Sequence, residues 1–204
     1  MEIVIIIMGL AFVIVMVMSA RKKLAKIREA VVQAQQEISQ ESDATASVGQ
    51  FQPDATSTAV VGASEEKGIF YYRLLQNGKT IVSTRMNLAN ISRVDLIIDH
   101  GVKEFDCFSS SQPTTTLKAK EVTATMLSHF PPTTIKAMRR AAVRISFVSE
   151  AGDVKTLEIT SLREANNEGD EGIQAFRNAI WWTAFLNIAS RNCRHGHQAD
   201  RNHN

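Results

Sequence analysis

Apolar residues recur along this chain with three different spacings, and each spacing predicts a different element. Ile3 to Met18 holds no charged or strongly polar side chain, and Arg21-Lys22-Lys23, Lys26 and Arg28 follow at once. As a helix, Ile3 to Ala20 would be roughly 27 Å long, within the span of about 17 to 25 residues that crosses a bilayer. The basic residues follow the apolar run, whereas a signal peptide carries them before it. Lys and Arg beside a span stay on the cytoplasmic side. The pattern therefore predicts a transmembrane anchor over 1–20, built from Ile3, Val4, Ile5, Ile6, Ile7, Leu10, Phe12, Val13 and Ile14. The chain is then a single-pass protein of the cell inner membrane, amino terminus outside and carboxyl-terminal domain cytoplasmic. Val17-Met18-Ser19 resembles a cleavage site and keeps an exported domain as the alternative.

The second spacing begins after the anchor. Leu24, Ile27, Val31, Ala34 and Ile38 recur at alternating steps of three and four, an a/d seam of about two heptads. It predicts a basic juxtamembrane amphipathic helix over 21–40. Three roles fit it: continuation of the anchor, self-association of two chains through 24–38, or a helix lying on lipid headgroups. From 41 to 67, Ser, Thr, Ala, Gln, Asp and Gly dominate, and Phe51 is the one large apolar residue apart from scattered valines. So little apolar surface predicts a flexible linker.

The third spacing, alternation by two, fills much of 68–190. Ile69 to Gln76 and Lys79 to Met86 flank Asn77-Gly78, a strong hairpin signal. Ile91 to Asp99 alternates and turns at His100-Gly101, which would set Leu96 against Phe105 and Val94 against Cys107. Val143 to Phe147 turns at Ala151-Gly152-Asp153, which would set Phe147 against Leu157 and Ile145 against Ile159. Lys118 to Phe130 reads as either strand or short helix, and Thr133 to Ala142 as a helical turn. Glu171 to Ser190 is a long helix, and 191–204 a disordered tail. On that helix Ile173, Phe176, Ile180, Trp181, Ala184, Phe185 and Ile188 form one broad face that should close the sheet. Trp182 and Leu186 fall opposite, which marks them as a partner interface unless another segment covers them.

The expected architecture is thus a single transmembrane helix plus an α+β, mostly-β domain. About seven antiparallel strands are closed by a C-terminal helix. In strand count and order, Gly68 to Ser190 resembles the pleckstrin-homology-like fold, including bacterial versions tethered to membranes. The resemblance implies a roll, and in lipid-binding members a basic first hairpin loop that holds phosphates. Here that loop is Asn77-Gly78, with Arg73 and Lys79 nearby.

Net charge is only +2, so the chain as a whole is no polyanion binder, and no nucleic-acid partner is expected. The basic excess is local. Arg21, Lys22, Lys23, Lys26 and Arg28 are the candidate anionic-lipid contacts, with Lys136, Arg139, Arg140 and Arg144 as possible additions in a lipid sensor. Two cysteines, Cys107 and Cys193, make neither a disulfide framework nor a metal-finger spacing. The tail residues Cys193, His195, His197 and His203 read as a polar end rather than a metal site, and no cofactor is expected. Catalytic arrangements fail on geometry. Asp95 and Asp99 on one strand would lie roughly 13 Å apart, Cys107 and His100 would sit at opposite ends of a hairpin arm, and His129 has no evident acid. The preferred function is a non-catalytic, membrane-anchored adaptor or subunit of a larger membrane assembly. A lipid sensor and an exported domain are the alternatives.

Overall fold

In the computed structural model, residues 2–42, 47–104, 106–108, 110–164 and 169–201 are described, except for the side chains of 2–14, 42 and 196–201. Helix α1 runs from Glu2 to Ser42. The strands β1 (Ser47–Phe51), β2 (Ser57–Ser64), β3 (Ile69–Gln76) and β4 (Lys79–Asn87) form one antiparallel sheet in chain order. A second antiparallel sheet holds β5 (Ile91–Ile98), β6 (Gly101–Lys103), β7 (Arg140–Val148) and β8 (Val154–Arg163) in the order β6-β5-β7-β8. Between β6 and β7 lie α2 (Thr115–Ser128) and α3 (Pro132–Ala137), and α4 (Gly169–Arg201) ends the order.

Two expectations are corrected here. The domain has two sheets of four strands, not one roll of about seven. The added strands come from 41–67, where a linker was expected. Ser57–Ser64 is flanked by β1 and β3 and is almost wholly buried. Its side chains are small because both of its faces are covered. Ala59, Val61 and Ala63 join the core around α4, while Val60 packs with α1.

The membrane anchor is corrected as well. Among the described residues no helix is long and apolar enough to cross a membrane. Of 1–20, only Val15 to Ala20 have described side chains. From Arg21 onward α1 is basic, and then amphipathic. Ile3, Val4, Ile5, Ile6, Ile7, Leu10, Phe12, Val13 and Ile14 have side chains outside the described residues. The single-pass, inner-membrane assignment is therefore not supported.

The a/d seam of α1 has an intramolecular use. Val31, Ala34 and Ile38 pack on Val60, Tyr71 and Leu75, the outer face of the first sheet. Arg73 donates to the carboxylates of Glu37 and, at 3.2 Å, Glu41. Lys67 Nζ donates to the Glu41 carbonyl at 2.7 Å. Gly62 lies directly beneath Ile38, where a Cβ would collide with the isoleucine side chain.

The hairpins form where the pattern placed them, with adjusted registers. Asn77 and Gly78 both have positive φ (50° and 79°), the requirement of a tight I′ turn. The β5–β6 turn sits at Asp99-His100, so Leu96 faces Lys103 rather than Phe105. Asp99 adopts φ 53°, and its Oδ1 accepts from the Arg139 and Arg140 N–H groups at 2.8 and 3.1 Å. Ile145 pairs with Leu157 rather than Ile159, and Phe147 with Lys155. Both shifts are of two residues, which keeps the side chains of β5, β7 and β8 on their expected faces.

Candidate interaction surface

Helix α4 passes between the two sheets. Trp182 and Leu186, expected at a partner interface, are only 2% and 1% exposed. They sit between Phe51, Val61 and Phe70 of the first sheet and Val143 and Ile159 of the second. The Trp182 ring contacts Phe51 and Phe70, each at 6.5 Å between centroids, in tilted and edge-on geometry. Gly49 of β1 makes room for it. An apolar helix needs cover on two sides, and here the chain itself supplies both covers. Trp181, expected in the core, is only partly buried. It stacks on Phe185 at 4.9 Å and lines a cleft of about 560 Å³ with Gln50, Gln52, Ser161, Gln174, Arg177 and Asn178. Asn178 Nδ2 closes one end by donating to the Gln50 carbonyl at 2.9 Å.

Among the described residues, the part of α1 whose side chains are left uncovered is Val15 to Lys26. Ile27 lies level with Gly78 at the β3–β4 turn. Every side chain from Val15 to Lys26 is exposed, including Val15, Met16, Val17, Met18 and Leu24. Arg21, Lys22, Lys23, Lys26 and Arg28 are exposed too, and none makes an ion pair among the described residues. At 100° per residue only Lys22 lies opposite the seam that docks on the sheet, while Arg21, Lys26 and Arg28 lie to its sides and Lys23 borders it. Val17 and Leu24 thus continue the seam with Arg21, Lys23 and Arg28 flanking it, while the exposed Val15 and Met18 fall on the other side of the helix.

The remaining candidates are dispersed. Arg73, one of the bases near the Asn77-Gly78 loop, is held by Glu37 and Glu41. Arg140 and Arg144 share Glu158. Asp95 accepts from Arg93 Nε at 2.6 Å, while Asp99 caps a turn. Cys107 is a buried core thiol, and burial, with Asp106 adding, pushes it up to about 12. It therefore carries little thiolate character. Cys193 is half-buried and raised by burial, with Glu65 adding and Arg194 opposing. His197 and His203 have side chains outside the described residues. The sequence pattern missed a cluster on the last turns of α4, Asn187, Arg191, Arg194 and His195, because the helix was expected to stop at Ser190. It continues to Arg201.

No family model, curated protein or solved structure matches the chain.

Proposed function

We propose that the chain is a non-catalytic adaptor, a two-sheet domain that carries a helical arm for a partner protein. The observation that carries this is the division of α1 at Ile27. Its carboxyl-terminal half is fixed to the first sheet by Val31, Ala34, Ile38 and the Arg73 ion pairs. Before Ile27, the described side chains Val15 to Lys26 are exposed, apolar and cationic among them. Exposed apolar surface of this kind marks an interaction site.

Charge chooses the partner class. Continued toward the amino terminus, the seam runs Val17, Ala20, Leu24, Ile27. The positions flanking it are Arg21, Lys23 and Arg28, which are e, g and e of the heptad. A second copy would set cations against cations, and like charges there oppose pairing. Pairing through all of 24–38 would also require Val31, Ala34 and Ile38 to leave the sheet. An amphipathic helix with acids flanking its apolar seam would meet both the stripe Val17, Ala20, Leu24 and the cations beside it.

A photo-crosslinking residue at Leu24 tests this in cells. The expected product joins the chain to a different, acidic protein, and Lys23→Glu with Arg28→Glu removes it. An adduct of two copies, or none, refutes the adaptor reading. So does salt-sensitive binding of the purified chain to anionic vesicles that the same charge reversals abolish.

A further inference from the structure

On the last turns of α4, Asn187, Arg191, Arg194 and His195 follow at i, i+4, i+7 and i+8, so they share one face of the helix. Ser92 and Arg93 from β5 and Phe108 from the loop after β6 close the opposite wall. The cavity between them is about 430 Å³, within the roughly 300 to 1,000 Å³ of small-molecule sites.

The charges in this cavity are unequal in what they can still do. Arg93 is matched, since its Nε donates to Asp95 at 2.6 Å and its Nη2 lies 3.6 Å from Glu104. Arg191 and Arg194 make no ion pair among the described residues. The Arg191 guanidinium carbon lies over Phe108, 4.3 Å from the ring centroid. This cation–π contact holds the charge in place and consumes none of its N–H donors. Arg194 donates one N–H to the Ile91 carbonyl, which anchors the side chain and leaves its other donors. The negative end of the helix dipole is no obstacle. α4 continues to Arg201, and the dipole effect fades within the last turn.

Two guanidinium forks on one wall suit a tetrahedral oxyanion, because each fork can hold two of its oxygens. Asn187 adds a second requirement. Its Nδ2 donates to both the Val94 carbonyl, at 2.7 Å, and the Thr183 carbonyl, at 3.0 Å. Its Oδ1 is therefore left as an acceptor, which a hydroxyl can satisfy and an unprotonated phosphoryl oxygen cannot. We propose that this cleft binds a phosphate monoester carried on a small hydroxylated molecule. The phosphoryl oxygens lie on Arg191 and Arg194, and a carrier hydroxyl donates to Asn187. The site is on the globular body and is independent of the α1 arm.

Titration calorimetry of the full chain with glycerol 3-phosphate, inorganic phosphate and glycerol tests the assignment. Glycerol 3-phosphate should bind one to one, more tightly than inorganic phosphate, and more weakly as salt is raised. Glycerol should not bind. Arg191→Gln should weaken glycerol 3-phosphate by roughly tenfold or more, the scale of one charge-assisted hydrogen bond. Arg191 is exposed, so its thermal melt should not move. Arg191→Lys should recover only part of the loss, since it restores charge without the fork. Absence of glycerol 3-phosphate binding at millimolar concentration, or binding indifferent to Arg191→Gln, overturns the site. Equal affinity for glycerol 3-phosphate and inorganic phosphate overturns the hydroxylated carrier.

Discussion

A single methyl group at Gly49 tests the fold at the place where the sequence was most misleading. Gly49 pairs with Val61 inside the first sheet and lies beneath Trp182. A Cβ there would stand 2.7 and 2.8 Å from Cε2 and Cζ2 of the indole, and closer still to Nε1. The ring cannot easily retreat. Phe51 and Phe70 hold it at 6.5 Å, Phe185 at 5.8 Å and Trp181 at 5.1 Å. The backbone at Gly49 is not among the positive-φ positions, so alanine suffers no conformational strain there. Reduced freedom of the unfolded chain would by itself favour alanine by about 0.4 to 1 kcal/mol. Overpacking opposes this with about 1 to 3 kcal/mol.

The expected balance for Gly49→Ala is a loss of about 1 to 2 kcal/mol, or roughly 2 to 8 °C in melting temperature for a domain of this size. Trp182→Phe in the same background should relieve the clash, which makes the two changes non-additive in a double-mutant cycle by about 0.5 kcal/mol or more. The assay is thermal or urea unfolding of the four proteins. If 47–64 were a loose tether, Gly49→Ala would be neutral or stabilising, with no coupling to Trp182. A melting temperature at or above wild type would refute the strand and its packing together.

Ile38→Ala should cost about 2 to 5 kcal/mol, as for a fully buried aliphatic, and should increase amide exchange in Gln35–Glu41 before it does so in α4. Stability should fall as pH drops from 4.5 toward 2. Arg73, with Gln33, holds the Glu37 carboxyl below its ordinary range, and hydrogen bonds from Ser57 and Thr56 hold Asp54 at about 2. Folded-state values below the unfolded ones give stability that is full above the unfolded pKa and is lost as the folded groups protonate. Asp54→Asn should flatten the acid end of a urea-midpoint profile, by a small amount because the carboxylate is exposed. Iodoacetamide at mildly alkaline pH should alkylate Cys193 well before Cys107, which should react only on unfolding. Early labelling of Cys107 would contradict its burial.

Much of the domain was legible wherever a local rule sufficed. Asn77-Gly78 announces its own turn, because few other pairs accept positive φ at both positions. The alternation in 91–98 and 143–147 assigned faces correctly even though both registers were off by two, since a shift of two preserves faces. The segment 41–67 was illegible for a non-local reason. Its small residues looked like missing core, but Gly49 and Gly62 are small because Trp182 and Ile38 arrive there from elements far away in sequence. The error at Trp182 is the same one seen from the other side. With 47–64 dismissed as a tether, the helix had one sheet to face, and its second apolar side looked unpartnered. The arginine cluster on α4 was hidden in a similar way, because nothing local announces that Phe108 and Ser92 stand opposite Arg191.

The division of α1 gives the same stripe of side chains two consequences. Up to Ile27 the stripe is closed by the sheet, and burial of Val31, Ala34 and Ile38 joins the helix to the domain. Beyond it the same stripe continues without cover, on a helix whose backbone hydrogen bonds run unbroken from one half to the other. A partner that closes the projecting half therefore holds the domain at a set distance and angle, since 1.5 Å and 100° per residue relate every position on one half to every position on the other. A flexible tether would have offered reach without orientation. This chain has the reverse arrangement: the docked seam of α1 leads without a break into the exposed stretch Val15 to Lys26, roughly 18 Å of helix. On the proposed adaptor reading, such a helix would fix the geometry between the domain and a partner bound to the arm.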